Sequence, residues 1–112
     1  MKKRSETLEY FLECLSRVGS VSSRAMFGGY GIYLHGLIFA IVVDDVLYFK
    51  VGDNNRADYE AMGCGPFQYD SKGKVMTMSY YELPESVLSD PQELALWVKK
   101  ALDAHGEKKR SR

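Results

Sequence analysis

Between positions 5 and 18 the apolar residues Leu8, Phe11, Leu12, Leu15 and Val18 recur at steps of three and four, the period of a helix with one buried face. Gly19 stops it. The pattern then turns to that of strands. Positions 22–27, 30–34, 37–43 and 46–51 are rich in aromatic and branched residues, and the breaks between them (Gly28-Gly29, His35-Gly36, Asp44-Asp45) are turn chemistry. Connections this short join antiparallel neighbours, so the segment predicts a four-stranded meander. Asp53 then caps a predicted helix that runs to Met62 and ends at Gly63, with Arg56 and Glu60 four apart on its surface. Two more strands, at 67–69 and 75–82, flank the turn Asp70-Ser71-Lys72-Gly73, and Pro84 closes the second. The last helix is announced by Asp90 as N-cap, Pro91 at the first helical position and Glu93 three after the cap. Leu94, Trp97, Val98, Ala101 and Leu102 then follow at helical spacing, and Trp97 is the expected docking residue.

The order α-β-β-β-β-α-β-β-α predicts an α+β fold, in which an antiparallel sheet of a four-stranded meander and a further strand pair packs with three helices. The third strand, positions 37–43, contains no polar residue. A sheet with one wet face alternates apolar and polar positions, so both faces of this strand require cover. Helices on the two sides, or a second copy of the sheet in a homodimer, would supply it.

Length and charge refine this picture. At 112 residues the chain has room for one ordinary domain, and 46% hydrophobic against 27% charged residues is the balance of a chain that folds. The zero net charge is a sum of unlike parts. Lys2, Lys3 and Arg4 precede the domain, and Lys108, Lys109, Arg110 and Arg112 follow it, so the expected parse is a basic tail at 1–4, a domain at 5–106 and a basic tail at 107–112. The domain itself holds 8 basic and 14 acidic residues, a net of −6. Duplex DNA is gripped by basic faces, so DNA contact by this chain would run through its ends. No apolar run approaches the ~20 residues of a membrane span, and the first residues lack the apolar core of a signal peptide. A cytoplasmic protein without membrane contact is expected. Cys14 reads as a buried free thiol and Cys64, between Gly63 and Gly65, as a thiol in a turn. Neither has the spacing of a metal site.

Most enzyme chemistries are excluded by what is missing. Gly28, Gly29 and Gly31 do not complete a phosphate-binding loop, since Leu34 stands where a third glycine would be needed and no helix follows. The two histidines, His35 in a hairpin turn and His105 near the C-terminal tail, give no nucleophile a positioned base. Asp44 and Asp45 form a turn and Asp53-Asn54-Asn55 lacks the glycine and terminal glutamate of a calcium loop. No catalytic residue, metal ligand or cofactor is expected. What stands out is aromatic content, with Tyr30, Tyr33, Tyr48, Tyr80 and Tyr81 all predicted on strands. Such rings either form an amphipathic core edge or stack on a partner.

The run Met26-Phe27-Gly28-Gly29-Tyr30-Gly31-Ile32-Tyr33 is followed by Gly36, Phe39-Ala40, Leu47-Tyr48-Phe49-Lys50-Val51 and Asn55-Arg56. Pro66-Phe67 with Tyr69, Met78-Ser79-Tyr80-Tyr81 and Leu83-Pro84 complete the series. In this order and spacing it resembles the N-terminal domain of the TfoX/Sxy competence regulators, over roughly residues 14–103. The resemblance implies an α+β domain and a non-enzymatic role as a transcriptional coactivator acting by protein contact, with the cyclic-AMP receptor protein or another regulator as partner. The competence regulators carry a second, helical domain after this one. The signature positions Met26, Phe27, Gly28, Gly29, Tyr30, Gly31, Tyr48, Lys50, Asn55, Arg56, Tyr80 and Tyr81 are the candidate partner surface. Each also has a plain structural reading: the glycines permit a turn or bulge, Met26 and Phe27 fill core, and Arg56 pairs with Glu60. Two other functions stay open. One is a small-molecule or peptide-binding module using the tyrosine-lined sheet and Arg56 for an anionic ligand. The other is weak nucleic-acid binding by the tails.

Overall fold

The structure, a computed structural model, describes the backbone of residues 6–26 and 28–110 and the side chains of residues 6–26 and 28–104. Helix α1 (Glu6–Ser16) leads into strands β1 (Val21–Met26), β2 (Gly29–Leu34), β3 (Leu37–Val43) and β4 (Val46–Lys50). Helix α2 (Arg56–Ala61), strands β5 (Pro66–Ser71) and β6 (Lys74–Glu82), and helices α3 (Glu85–Leu88) and α4 (Pro91–Arg110) complete the order. All six strands lie in one antiparallel sheet, ordered β1-β2-β3-β4-β6-β5. The meander and the strand pair are therefore joined edge to edge, through the pairs Tyr48↔Glu82, Phe49↔Tyr81 and Lys50↔Tyr80.

Three of the hairpins close through two-residue turns in which both residues have positive φ: His35 (55°) and Gly36 (78°), Asp44 (52°) and Asp45 (64°), Lys72 (52°) and Gly73 (83°). This geometry matches the right-handed twist of the strands it connects. The last of these turns is tighter than the four residues expected from sequence, because Asp70 and Ser71 still pair with Val75 and Lys74.

The helices lie against one face of the sheet. Strand residues of a single pleat parity, Ile32 and Leu34 on β2, Ala40 and Val42 on β3, Leu47 and Phe49 on β4, form the core with Leu8, Phe11 and Leu15 of α1 and Leu94, Val98 and Ala101 of α4. Phe39 joins them because the β2–β3 register shifts between Ile32 and Tyr33. The start of α4 is capped as expected: the Asp90 carboxylate accepts the Gln92 and Glu93 amides at 3.1 and 3.3 Å. Trp97 docks edge-on against Tyr59 of α2, with ring centroids 4.7 Å apart.

Three expectations are corrected. Among the described residues there are four helices, not three. The extra turn, α3, starts directly after Pro84 and is too short to leave a periodic signature. Asp53 does not cap α2. The helix begins at Arg56 with Asn55 in the cap position, and Asp53 instead accepts a 3.0 Å hydrogen bond from Arg56. Arg56 accordingly pairs with Asp53 and not with Glu60. At the C-terminal end, α4 continues to Arg110, so the backbone of Lys108, Lys109 and Arg110 is helical. Lys2, Lys3, Arg4, Phe27 and Arg112 lie outside the described residues.

The turn at Asp45 holds a non-glycine residue at the second position of a left-handed pair, where glycine carries no steric penalty. Asp45→Gly is expected to raise stability by about 0.5–1 kcal/mol in denaturant unfolding; a loss of stability would mean that the carboxylate makes a compensating contact.

Candidate functional site

Among the described residues no helix lies on the second face of the sheet, yet its centre is closed. Ile41, of opposite parity to Ala40 and Val42, is 5% exposed, and Tyr80 is 7% exposed, although neither belongs to the helix-side core. Ile41 lines a groove with side chains of other strands, and Lys50 lies over the Tyr80 ring. At one end the Arg24 guanidinium lies 5.5 Å from the Tyr33 ring centre and the Lys50 ammonium 5.4 Å from that of Tyr80, distances at which a cation is attracted to the ring face. Burial raises the pKa of the Tyr80 phenol, with Tyr33 adding to the shift. This end of the face is capped by its own cations.

The other end is open. Tyr48 meets Phe67 at 5.0 Å between centroids in an edge-on pair, and Phe67 stacks with Tyr69 at 6.0 Å. Phe67 and Tyr69 belong to the β5–β6 hairpin, which folds toward the β3–β4 turn, while Tyr48 stands on β4. Between them runs a groove of about 760 Å³ lined mainly by apolar side chains, with Asp44 and Gln68 as polar members. The hairpin is exposed on both sides: Val75 is 65% exposed, the groove-lining Tyr69 44% and Met76 42%.

The signature glycines belong to this face. A Cβ on Gly31 would stand 2.8 Å from Met26 Sδ and from Ile38 Cδ1, so its absence lets those side chains close over β2. Gly29 is tighter still, since a Cβ there would collide with the Val42 backbone oxygen. Met26, Gly31 and Tyr48 thus share the open face with Lys50 and Tyr80, while Tyr30 packs on the helix-side core and reaches the groove edge. Gly28 occupies the β1–β2 turn.

Asn55, Arg56 and Tyr81 are not part of that face. Asn55, 2% exposed, accepts from the Gly52 amide at 2.8 Å and donates to the Lys50 carbonyl at 3.1 Å, clasping the chain as it leaves β4. Arg56 lies between Asp53 and the Tyr81 hydroxyl, which both raise its pKa. Tyr81 packs toward the helices, 5.7 Å from the Tyr59 ring. A single anionic pocket built from the tyrosine face and Arg56 therefore has no geometric basis, since the sheet separates them. The Tyr59 hydroxyl is buried without a hydrogen-bond partner, and burial drives its pKa far above the ordinary value of 10.0. Cys64, half-buried near it, is raised chiefly by burial. Among the described residues no three His, Cys, Asp or Glu side chains converge as metal ligands would, and no helix is long and apolar enough to cross a membrane.

Sequence reasoning placed Tyr48 and Tyr80 on a sheet face but did not place Phe67, Tyr69, Met78 and Ile41 beside them. The signal was the ring alternation at Phe67 and Tyr69. What hid it was the irregular register between Pro66 and Gln68, which turns the arm over the sheet.

Comparison with known proteins adds family and ancestry to this geometry. The TfoX N-terminal domain family matches residues 13–105. The chain is 30% identical over 95 residues to the DNA transformation protein TfoX1 of Aliivibrio fischeri (strain ATCC 700601 / ES114), covering 85% of this chain and 46% of that protein. It is 27% identical over 100 residues to the protein Sxy of Escherichia coli (strain K12), covering 89% of this chain and 48% of that one. The chain thus spans about half the length of these curated relatives.

Two outcomes follow from the buried polar groups. Asn55→Ala leaves the Gly52 amide and Lys50 carbonyl unpaired in a part-buried site and should cost about 1–3 kcal/mol in denaturant unfolding; an unchanged midpoint would show that water replaces both bonds. Folding holds Tyr59 as the neutral phenol with a raised pKa, so its contribution is whole below the ordinary value of 10.0 and is lost as pH climbs above it. Tyr59→Phe should therefore gain about 1 kcal/mol at neutral pH and make the alkaline fall in stability shallower. A neutral-pH loss would reveal a partner for the hydroxyl.

Proposed function

From the premise that this chain belongs to the TfoX N-terminal domain family, we propose that it is a non-enzymatic regulatory domain that works by protein–protein contact, as a coactivator of transcription in the manner that family implies. The observation that carries the reading is the asymmetry of the sheet. One face is spent on the helical core, and the other presents exposed aromatic and methionine side chains around a groove. Apolar aromatic surface of this kind is the composition of protein contact sites. The name of one relative, a DNA transformation protein, fits a role connected with DNA transformation. The cyclic-AMP receptor protein or another regulator is the partner proposed, within the cytoplasm.

DNA contact is assigned a minor part. Positions 5–106 carry a net charge of −6, and the basic residues that could meet phosphate are concentrated at the ends, Lys2 to Arg4 and Lys108 to Arg112. The proposal thus separates a protein-binding body from basic ends that strengthen a ternary complex.

Fluorescence anisotropy of a labelled competence-type promoter duplex, titrated with cyclic-AMP-loaded receptor protein, tests this. The whole chain and a form limited to positions 5–106 should both tighten receptor binding, the whole chain more so at low salt. If neither changes the receptor's affinity, coactivation is not a property of this domain. If only the whole chain acts, the basic ends and not the body carry the activity.

A further inference from the structure

The groove on the helix-free face has a floor of Ile41 and Val43 and walls of Met26 on one side and Phe67, Tyr69 and Met78 on the other. About 760 Å³ is within the range of clefts that bury a compact ligand or two to three side chains. Unbranched methionines on opposite walls let such a cleft adapt its shape to the group it receives. Its charge is one-sided. Asp44 lines the groove, and Glu82 pairs across the strands with Tyr48. Both carboxylates are near enough for their charge to add to the upward pKa shift that burial causes in the Tyr48 phenol. Neither is held in an ion pair among the described residues. The basic side chains on this face of β1–β4 do not serve them, since Arg24 lies over Tyr33 and Lys50 over Tyr80.

This charge selects the occupant. A second copy docked groove to groove would bring one acidic rim against another, and a nucleic acid would bring phosphate against carboxylate in a body of net charge −6. Building on the protein-contact reading above, we propose that the groove receives a short segment of a partner protein, seating an aliphatic or aromatic anchor between Phe67, Tyr69 and the two methionines, with an adjacent Lys or Arg paired to Asp44. The anchor supplies most of the affinity and the ion pair sets orientation and on-rate.

The test uses the full chain and fluorescein-labelled eight-residue peptides that alternate Leu or Phe with Lys or Arg. A matched set carries Glu and Asp in place of the basic residues, and a twenty-nucleotide oligo-dT serves as third probe. The basic set should bind in the micromolar range, with amide shifts at Met26, Val43 and Tyr69 in two-dimensional NMR, and should weaken as salt rises. Tyr69→Ala, at a 44% exposed position, should weaken it about tenfold. Asp44→Asn, whose side chain tolerates the same turn conformation, should weaken it about fivefold. Unchanged thermal midpoints would confirm that both variants fold. Equal binding of the acidic set, preferential binding of oligo-dT, no binding at millimolar peptide, or indifference to both substitutions overturns the proposal. The promoter assay separates this from the broader reading. If variants that lose the peptide keep the receptor response, the groove is not the docking site although the regulatory role stands. If the wild type binds peptide but evokes no response, the regulatory role fails and the groove survives.

Discussion

A strand without a polar residue cannot lie at a water-facing surface, and this constraint on β3 organises the domain. Ala40 and Val42 send one side of the strand into the helical core, where Leu94, Val98 and Ala101 of α4 meet them. Ile41 points the other way, and no helix of the described residues packs on that face. It is closed over by the aromatic side chains and methionines of its neighbours, so two different solutions to the same burial problem stand back to back across a single sheet. The first is a conventional core, with Leu8, Leu15, Ile32, Phe49 and Leu94 fully buried. The second is a thin layer of rings, sealed by cations at one end and left open at the other. The opening and the groove follow from there being no second helical layer.

The same division explains the glycines of the signature. Side chains lying flat over a strand need a strand residue that does not rise to meet them, and Gly31 beneath Met26 and Ile38 provides it. Gly29 answers a different need, the approach of the Val42 carbonyl. Neither forms a phosphate loop, in keeping with the strand that follows them. Asn55 similarly turns out to be structural, since both ends of its amide are consumed by the backbone around Gly52. What remains of the signature for contact with other molecules is the set of rings and methionines on the second face.

Much of this was legible in the chain itself. The period of three and four in α1 and α4, the turn residues between the meander strands, and the Asp90-Pro91 start of the last helix located these elements to within a residue or two, because each rests on local chemistry. Asp53 misled for an instructive reason. An acidic residue shortly before a helix reads as a cap, but Asn55 competes for the same turn, and its amide can bond both a donor and an acceptor where a carboxylate can only accept. α3 escaped because one turn shows no period. The composite face was the least legible feature, since it depends on how β5 and β6 swing relative to β4, and that follows from an irregular register fixed by tertiary packing rather than by any local pattern.

The three-pair seam between β4 and β6 bears on how such a domain assembles. The pairings β1–β2, β2–β3, β3–β4 and β5–β6 each close over a two-residue connection, so they form between near neighbours in the chain and are kinetically inexpensive. Tyr48, Phe49 and Lys50, by contrast, must find partners thirty or more positions away, at Glu82, Tyr81 and Tyr80. The entropic penalty of closing the intervening segment falls on this one junction. Two locally formed units, a meander and a hairpin, thus become one cooperative sheet at the strand whose exit Asn55 clasps. The β5–β6 tip, joined to the rest through that seam alone, is therefore the unit expected to open first, and β3, paired on both sides, the last to lose its protection.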